Sequence, residues 1–287
     1  MTVITAADKR IFRLSPGFEI EPVQAGDIKR VISLLQNPEP PDYSVLSRKE
    51  KKLFQEVLTP KTRVSIALPE CESLYGGSWY RQGPDECVTW SVINAMHALS
   101  VEPNPSYLLE LLTLTCSNKK TKQPGLNPQT AKELLEIKYK NEQIEINLAP
   151  AESQLKATAN FDLIAGFPVC TPRFLDLPYD SPDLIRAAEN KEAELKQISE
   201  LITANANNIK NLITANRKLV ILVSNQEYNS YRPAKDCSHA ICITGYRIDK
   251  NGFMDLQIID PEVGIIWASL EHISSCLSSA KYTVSKK

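Results

Sequence analysis

QGPDECVTWSVINAMHAL, residues 82–99, decides how the rest of the chain is read. A turn-forming run, Gly83-Pro84-Asp85-Glu86, leads straight into one cysteine and then into an apolar pattern with helical spacing. Val88, Val92 and Met96 recur along one face, Ala95 and Leu99 extend it, and Trp90 and Ile93 fall elsewhere around the helix. A helix apolar on most sides belongs inside a core. Cys87 then stands in its first turn, where unpaired backbone N–H groups and the positive end of the helix dipole favour a thiolate over a thiol. A cysteine so placed is a candidate nucleophile.

The composition narrows what that nucleophile serves. The chain has 287 residues, 43% hydrophobic and 23% charged, enough for one large domain or two subdomains with a sizeable core. Lys plus Arg number 33 and Asp plus Glu 34, so no basic excess points to nucleic acid or to an anionic membrane surface. No apolar run approaches the roughly 18 residues of a membrane span. Asp8, Lys9 and Arg10 occupy the place where a signal peptide needs its apolar region, so a cytoplasmic start is expected. The seven cysteines stand at 71, 87, 116, 170, 237, 242 and 276, an odd number without a CxxC pair. They read as reduced thiols, with Cys71, Cys116, Cys170, Cys242 and Cys276 as core filler. With only His97, His239 and His272 besides, no zinc-ligand spacing exists, and neither metal nor cofactor is expected.

Outward from the central helix, residues 1–70 read as an N-terminal helical extension and residues 71–287 as the main domain. The extension contains an amphipathic helix from Ala25 to Leu35, carrying Ile28, Val31, Ile32 and Leu35. A second covers Ser47–Leu58, with Ser47 and Glu50 as a capping box and Leu53, Phe54, Val57 and Leu58 as its stripe. Arg63–Leu68 alternates like a strand, and Leu74–Tyr80 is a glycine and aromatic loop. Helices are expected over Ser106–Cys116 and from Asn127-Pro128 to Ile137, and strands over Ile144–Leu148, at a sheet edge, and Phe161–Val169. A helical insertion runs over about 183–217. In it Leu195, Ile198, Ile202, Asn205, Ile209 and Leu212 form a heptad-like seam, and LITAN occurs twice, at 201–205 and 212–216, an offset near three turns that presents both copies on one face. Asn207-Asn208 marks the break if this region folds back. Its bland reading is packing, its functional one a surface for a protein partner. From Leu219 the pattern turns to strands: Leu219–Val223 is a central one, Ala240–Tyr246 follows, Lys250-Asn251-Gly252 turns a hairpin, Met254–Ile259 returns, and Ile265-Ile266-Trp267 begins another. Helices first and an antiparallel sheet second predict an α+β fold in two halves.

A thiol nucleophile needs a base, a group that orients the base, and donors for an oxyanion. His239 opens the strand HAICITGY, and Asp260 ends the strand that follows the Lys250–Gly252 hairpin. Antiparallel neighbours joined by such a turn bring the start of one beside the end of the other. His239 and Asp260 therefore meet at one sheet edge, the carboxylate holding one ring nitrogen while the other faces Cys87. Gln82 precedes Cys87 closely enough to donate its side-chain amide together with the Cys87 N–H. His97 lies too far along the helix to partner Cys87 and reads as structural. His272, after Glu271 in a polar stretch, reads as a surface residue. Cys237, close to His239, reads as packing or chance.

The order Gln82, Cys87, a helix containing Trp90, a distant His239-Ala240 with a strand ending Gly245-Tyr246, and Asp260-Pro261 resembles the papain-like cysteine peptidase superfamily over residues 74–270. The resemblance implies a two-lobed fold, with an N-terminal helical lobe carrying the central helix and a C-terminal antiparallel sheet lobe. It implies Cys87 as nucleophile, His239 as base, Asp260 as orienter and Gln82 as oxyanion donor. Val88 rather than Trp after the cysteine, the shorter Gln-to-Cys gap, and Asp in third place direct it away from papain proper. It is closer to the leader-peptidase-like and bacterial effector-protease-like branches. The expected activity is thiol-dependent peptide or isopeptide hydrolysis through an acyl-enzyme, on a protein or peptide substrate. The same residues would serve a transglutaminase, deamidase or acyltransferase, and the scaffold kept without activity would be a binding module. The serine- and lysine-rich tail SSCLSSAKYTVSKK permits delivery into a host cell by a signal-independent system, as a bacterial effector is delivered.

Overall fold

The strands that carry His239 and Asp260 lie inside one antiparallel sheet. The structure is a computed structural model, describing residues 25–41, 46–58, 63–83, 86–101, 144–148, 182–224, 228 and 238–286. In chain order these contain α1 (Ala25–Gln36), α2 (Arg48–Leu58), β1 (Cys71–Ser73), α3 (Cys87–Ala98), β2 (Ile144–Leu148), α4 (Pro182–Thr214), β3 (Arg217–Ser224), β4 (Ser238–Ile248), β5 (Met254–Asp260), β6 (Gly264–Ser269), α5 (Leu270–Ser275) and β7 (Leu277–Lys286). The described strands are ordered β2-β7-β3-β4-β5-β6, with β1 paired to β4 off that path. The protein is thus α+β with an antiparallel sheet.

The two central strands are apolar without interruption because both faces of the sheet are covered. On one face Val220, Leu222, Ala240, Cys242, Ile259 and Val284 pack with Trp90, Ile93 and Met96 of α3. On the other, Leu219, Ile221, Ile241, Ile243 and Ile258 pack with Leu58 of α2, Ile202 and Ile209 of α4 and Ile273 of α5. Each such side chain contributes on the order of 1.5–3 kcal/mol when taken out of water. Val88 through Met96 of α3 are all buried, as its all-round apolar pattern predicts. The hairpin turns where it is expected: Gly252 adopts φ 78°, a conformation costly for other residues, and its N–H donates to the Asp249 carbonyl at 2.9 Å.

Both N-terminal helices form. The capping box at α2 is made in full, with Ser47 N–H donating to Glu50 Oε2 at 2.9 Å and Glu50 N–H donating to Ser47 Oγ at 3.3 Å. Their stripes differ in part from expectation, since Ile32 and Leu53 are exposed while Leu34 and Leu35 pack on the α3 core. Arg63–Leu68 is not a strand. Its alternation reflects Val64 and Ile66 reaching into the core, and its backbone is held by single bonds, Val64 N–H to Glu271 Oε1 at 2.8 Å and Ile66 N–H to the Gly252 carbonyl at 2.9 Å.

The insertion is one unbroken helix, with no break at Asn207-Asn208. Ile198, Ile202, Asn205, Ile209 and Leu212 are buried along it. The polar member of that seam is satisfied, Asn205 Nδ2 donating to Ser274 Oγ at 3.0 Å. The two LITAN copies present only part of the same face. Ile202 and Ile213 are both buried, but Asn205 is in the core while Asn216, at φ 53°, ends the helix in the left-handed conformation that asparagine tolerates. Nor is the sheet confined to the second half. Ile144–Leu148 joins it at an edge, beside β7, and Cys71–Ser73 pairs with Arg247 and its neighbours. The polar tail forms strand β7, paired to β2 on one side and β3 on the other. Its serines and lysines hide the alternation of Tyr282 and Val284. The expected helices at 106–116 and 127–137 and the strand at 161–169 lie outside the described residues, as do Cys116, Cys170 and Cys237.

Because β7 fills the space between β2 and β3, removal of residues 277–287 strips a partner from a central strand. The truncated chain is expected to lose cooperative thermal unfolding by circular dichroism. A two-state transition within a few degrees of the full-length one would show that β7 is dispensable.

Candidate functional site

Ala240 registers the helix against the sheet. Its carbonyl accepts from Ser91 Oγ at 2.8 Å, one turn beyond Cys87 on the same face of α3, and its N–H points to the Cys87 sulfur. The Cys87 thiol is half-buried at the first residue of the helix. Burial alone would push its pKa up. The His239 imidazole, by hydrogen bond and by charge, and the N–H groups of Ala240 and Val88 outweigh burial and hold the thiol below its ordinary value. By contrast, burial pushes the Cys242 thiol up to about 12 with no such donors, which makes it inert.

His239 and Asp260 meet as the hairpin requires. His239 is 5% exposed and Asp260 1% exposed, with Nε2 and Oδ1 3.1 Å apart. The same carboxylate oxygen accepts from the Glu262 N–H at 2.8 Å. Burial opposes the charged form of both partners, but their mutual attraction prevails. His239 is raised well above the ordinary histidine value by Asp260 and Cys87, and Asp260 is held below the ordinary carboxylate value by His239, the Glu262 N–H and the Tyr228 hydroxyl. Since Nε2 is engaged by Asp260, Nδ1 is left for the thiol. Tyr228, fully buried, lies with its ring 5.9 Å from that of His239 and 6.1 Å from that of His272.

Gln82 reaches the same place through its backbone. Its N–H donates to the carbonyl of Pro261, the residue after Asp260, at 2.7 Å. The loop before it is clamped twice. Asn94 of α3 bonds both the N–H and the carbonyl of Tyr80, at 2.7 and 2.9 Å, and Gln257 of β5 does the same to Tyr75, at 2.6 and 2.7 Å. The Gln82 side-chain oxygen is buried and has no hydrogen-bond partner among the described residues.

The four residues singled out in the sequence therefore lie on three segments that converge. Cys87, His239 and Asp260 are in direct succession, and Gln82 is pinned beside Asp260. Sequence reasoning passed over Glu86, Ser91, Asn94, Gln257 and Tyr228. Ser91 and Asn94 share a side of the helix with Cys87, a spacing that could have flagged them; Tyr228 carries no such signal. His272 is not a surface residue but half-buried against Tyr228, and its neighbour Glu271 is buried, accepting from Arg63 Nε at 3.1 Å. His97 contacts Ser78 Oγ through Nε2 at 3.0 Å and packs among Tyr75 and Tyr80, away from the thiol.

Comparison of the chain with protein-family models, with curated proteins and with solved structures finds no match. No helix among the described residues is long and apolar enough to cross a membrane.

The geometry fixes a pH dependence. A thiol held below its ordinary value by an adjacent imidazolium alkylates with iodoacetamide at pH values below the roughly 8.5 of a free cysteine. In His239→Gln burial remains while the opposing charge is gone, so the midpoint of Cys87 alkylation moves above that of a free thiol. Peptide mapping across a pH series reads it, and a wild-type midpoint no lower than that of a free thiol would contradict the ion pair.

Proposed function

We propose that the protein is a thiol-dependent hydrolase of peptide or isopeptide bonds, built on a two-lobed papain-like scaffold. One observation carries this reading: a helix-start thiol bonded to an imidazole whose far nitrogen is held, out of water, by a carboxylate 3.1 Å away. A buried cation beside a cysteine has little structural use, and it is the arrangement that makes a thiolate at neutral pH. Cys87 Sγ attacks the carbonyl carbon of the substrate. The oxyanion is met by the Cys87 N–H and the Gln82 amide turned to present its nitrogen. The His239 imidazolium gives its proton to the departing amine as the C–N bond breaks, leaving a thioester on Cys87. Water, deprotonated by the now neutral imidazole, attacks that thioester, and collapse of the intermediate breaks the C–S bond, releasing the acid and restoring the Cys87 thiolate beside the His239 imidazolium. Asp260 holds the ring in one tautomer throughout. No metal or organic cofactor enters any of these steps.

Two features support the papain-like reading in particular. The nucleophile comes from a buried helix and the base from an antiparallel strand packed against it, so the reacting groups stand at the junction of helix and sheet. Their order along the chain, Gln82, Cys87, His239 and Asp260, is that of the superfamily.

Incubation with peptide libraries and with electrophilic ubiquitin-type probes tests the proposal, because the probes trap the acyl-forming thiol covalently. Cys87→Ala is expected to abolish labelling and turnover. Gln82→Ala is expected to lower kcat by roughly 10²-fold with little change in KM, as loss of one oxyanion donor does. Ammonia release from glutamine side chains without chain cleavage would reassign the acyl-enzyme to a transglutaminase or deamidase. A Cys87 that reacts no faster than the other thiols would leave only a binding module.

A further inference from the structure

Glu86, immediately before the nucleophile, is a buried carboxylate that the proposed reaction does not use. It is the N-cap residue of α3, yet its side chain makes no capping bond to the helix. It turns back instead, and Oε2 accepts from the Gly83 N–H and from Trp90 Nε1, each at 2.8 Å. Arg30 of α1 closes over it with both terminal nitrogens, Nη1 donating to Oε1 at 2.9 Å and Nη2 pairing with Oε2. The pair sits directly on Gly83, where any side chain would run into the Arg30 guanidinium and the Glu86 carboxylate. Arg30 is not delivered by chance. Leu34 and Leu35 of the same helix pack on the α3 core. Beyond the helix, Glu39 and Trp79 exchange backbone hydrogen bonds at 2.9 and 3.2 Å, and Trp79 Nε1 donates to the Pro40 carbonyl at 2.8 Å.

We propose that Arg30 is a positioning residue for the nucleophile: docking of α1 cancels the Glu86 charge and locks the 83–87 turn, so that the N-terminal helix activates Cys87. The inference rests on the catalytic reading of Cys87 given above. Among the described residues, the ionisable groups bonded at this end of α3 are His239 from β4, Asp260 behind it from β5, and Glu86 with Arg30 over it. With Arg30 in place the Glu86 carboxylate is offset by a guanidinium, and the helix N-terminus is free to favour a thiolate. Without Arg30 the carboxylate of Glu86, the residue before Cys87 at the same helix N-terminus, is left without its guanidinium and disfavours a negative charge there. Helix α1 is then a part of the working site whose detachment would slow the thiol's reaction.

Cys87 alkylation in the full chain, followed against pH by peptide mapping, is the test, with thermal unfolding measured in parallel. In Arg30→Ala the midpoint is expected to move upward and the rate at pH 6 to fall roughly three- to tenfold. Arg30→Lys retains most of the wild-type rate. The double variant Arg30→Ala/Glu86→Gln regains it, because the repelling charge is gone. An unchanged Arg30→Ala, or a folded double variant as slow as Arg30→Ala, overturns the proposal. If Arg30→Ala does not fold, Glu86→Gln alone decides: with the carboxylate made neutral the midpoint moves downward, and an unchanged or upward midpoint overturns the proposal. A wild-type Cys87 with an ordinary midpoint strikes instead at the catalytic reading itself.

Discussion

The contact between His239 and Asp260 is made where water scarcely reaches, and the cost of keeping two charges there has to be offset by everything around them. Neither group would stay ionised alone; each would shed its charge, since isolated burial costs several kcal/mol per ion. The Glu262 N–H, the Tyr228 hydroxyl and the Cys87 sulfur complete the set of partners, and the ladder between β4 and β5 holds the distance. A β-bulge between Ile243 and Gly245 shifts the register of that ladder, and Gly245 is required there because a side chain would strike the Ser73 carbonyl and Gln257. The site thus depends on a hairpin whose geometry is set at its far end, by Gly252, and adjusted in its middle by a bulge.

Much of this was legible because it follows from local pattern. The helix from Cys87 is apolar all round, the hairpin has an Asn-Gly turn, and the central strands are unbroken β-branched runs; each is a signal carried by neighbouring residues. His239 and Asp260 could be paired from the sequence for the same reason, since one turn of known length relates them. What escaped was whatever depends on residues distant in the chain. Nothing near Glu86 announces that Arg30, 56 positions earlier, will close over it. Arg63–Leu68 alternates as a strand does, but it lies along the hairpin turn and Glu271 instead of in a ladder. The serines and lysines of the tail concealed a strand because polar side chains are tolerated wherever the ladder itself satisfies the backbone. His272 looked exposed beside a glutamate that proved to be buried and bonded to Arg63.

The loop from Tyr75 to Gln82 has no regular structure, yet side chains from the helix and from the sheet hold its backbone. Asn94 and Gln257 each act as a two-point amide clamp, replacing the ladder that a strand would have made. Burying an irregular backbone requires such partners. The arrangement fixes Gln82 relative to the elements that carry Cys87, His239 and Asp260, so a small shift of helix against sheet would be felt at all three segments together.

β7 has a consequence for how the protein is made. Of the described strands, the one most distant in sequence from Cys87 fills an interior position in the sheet, between β2 and β3. During synthesis, α3 and the β3–β6 strands emerge from the ribosome first. Until residues 277–286 follow, β3 has an open edge and its apolar faces have only part of their cover, a state prone to pair with other chains. The sheet is therefore closed last, by its most polar strand, and the growing chain must be kept from self-association without help from the segment that will eventually prevent it.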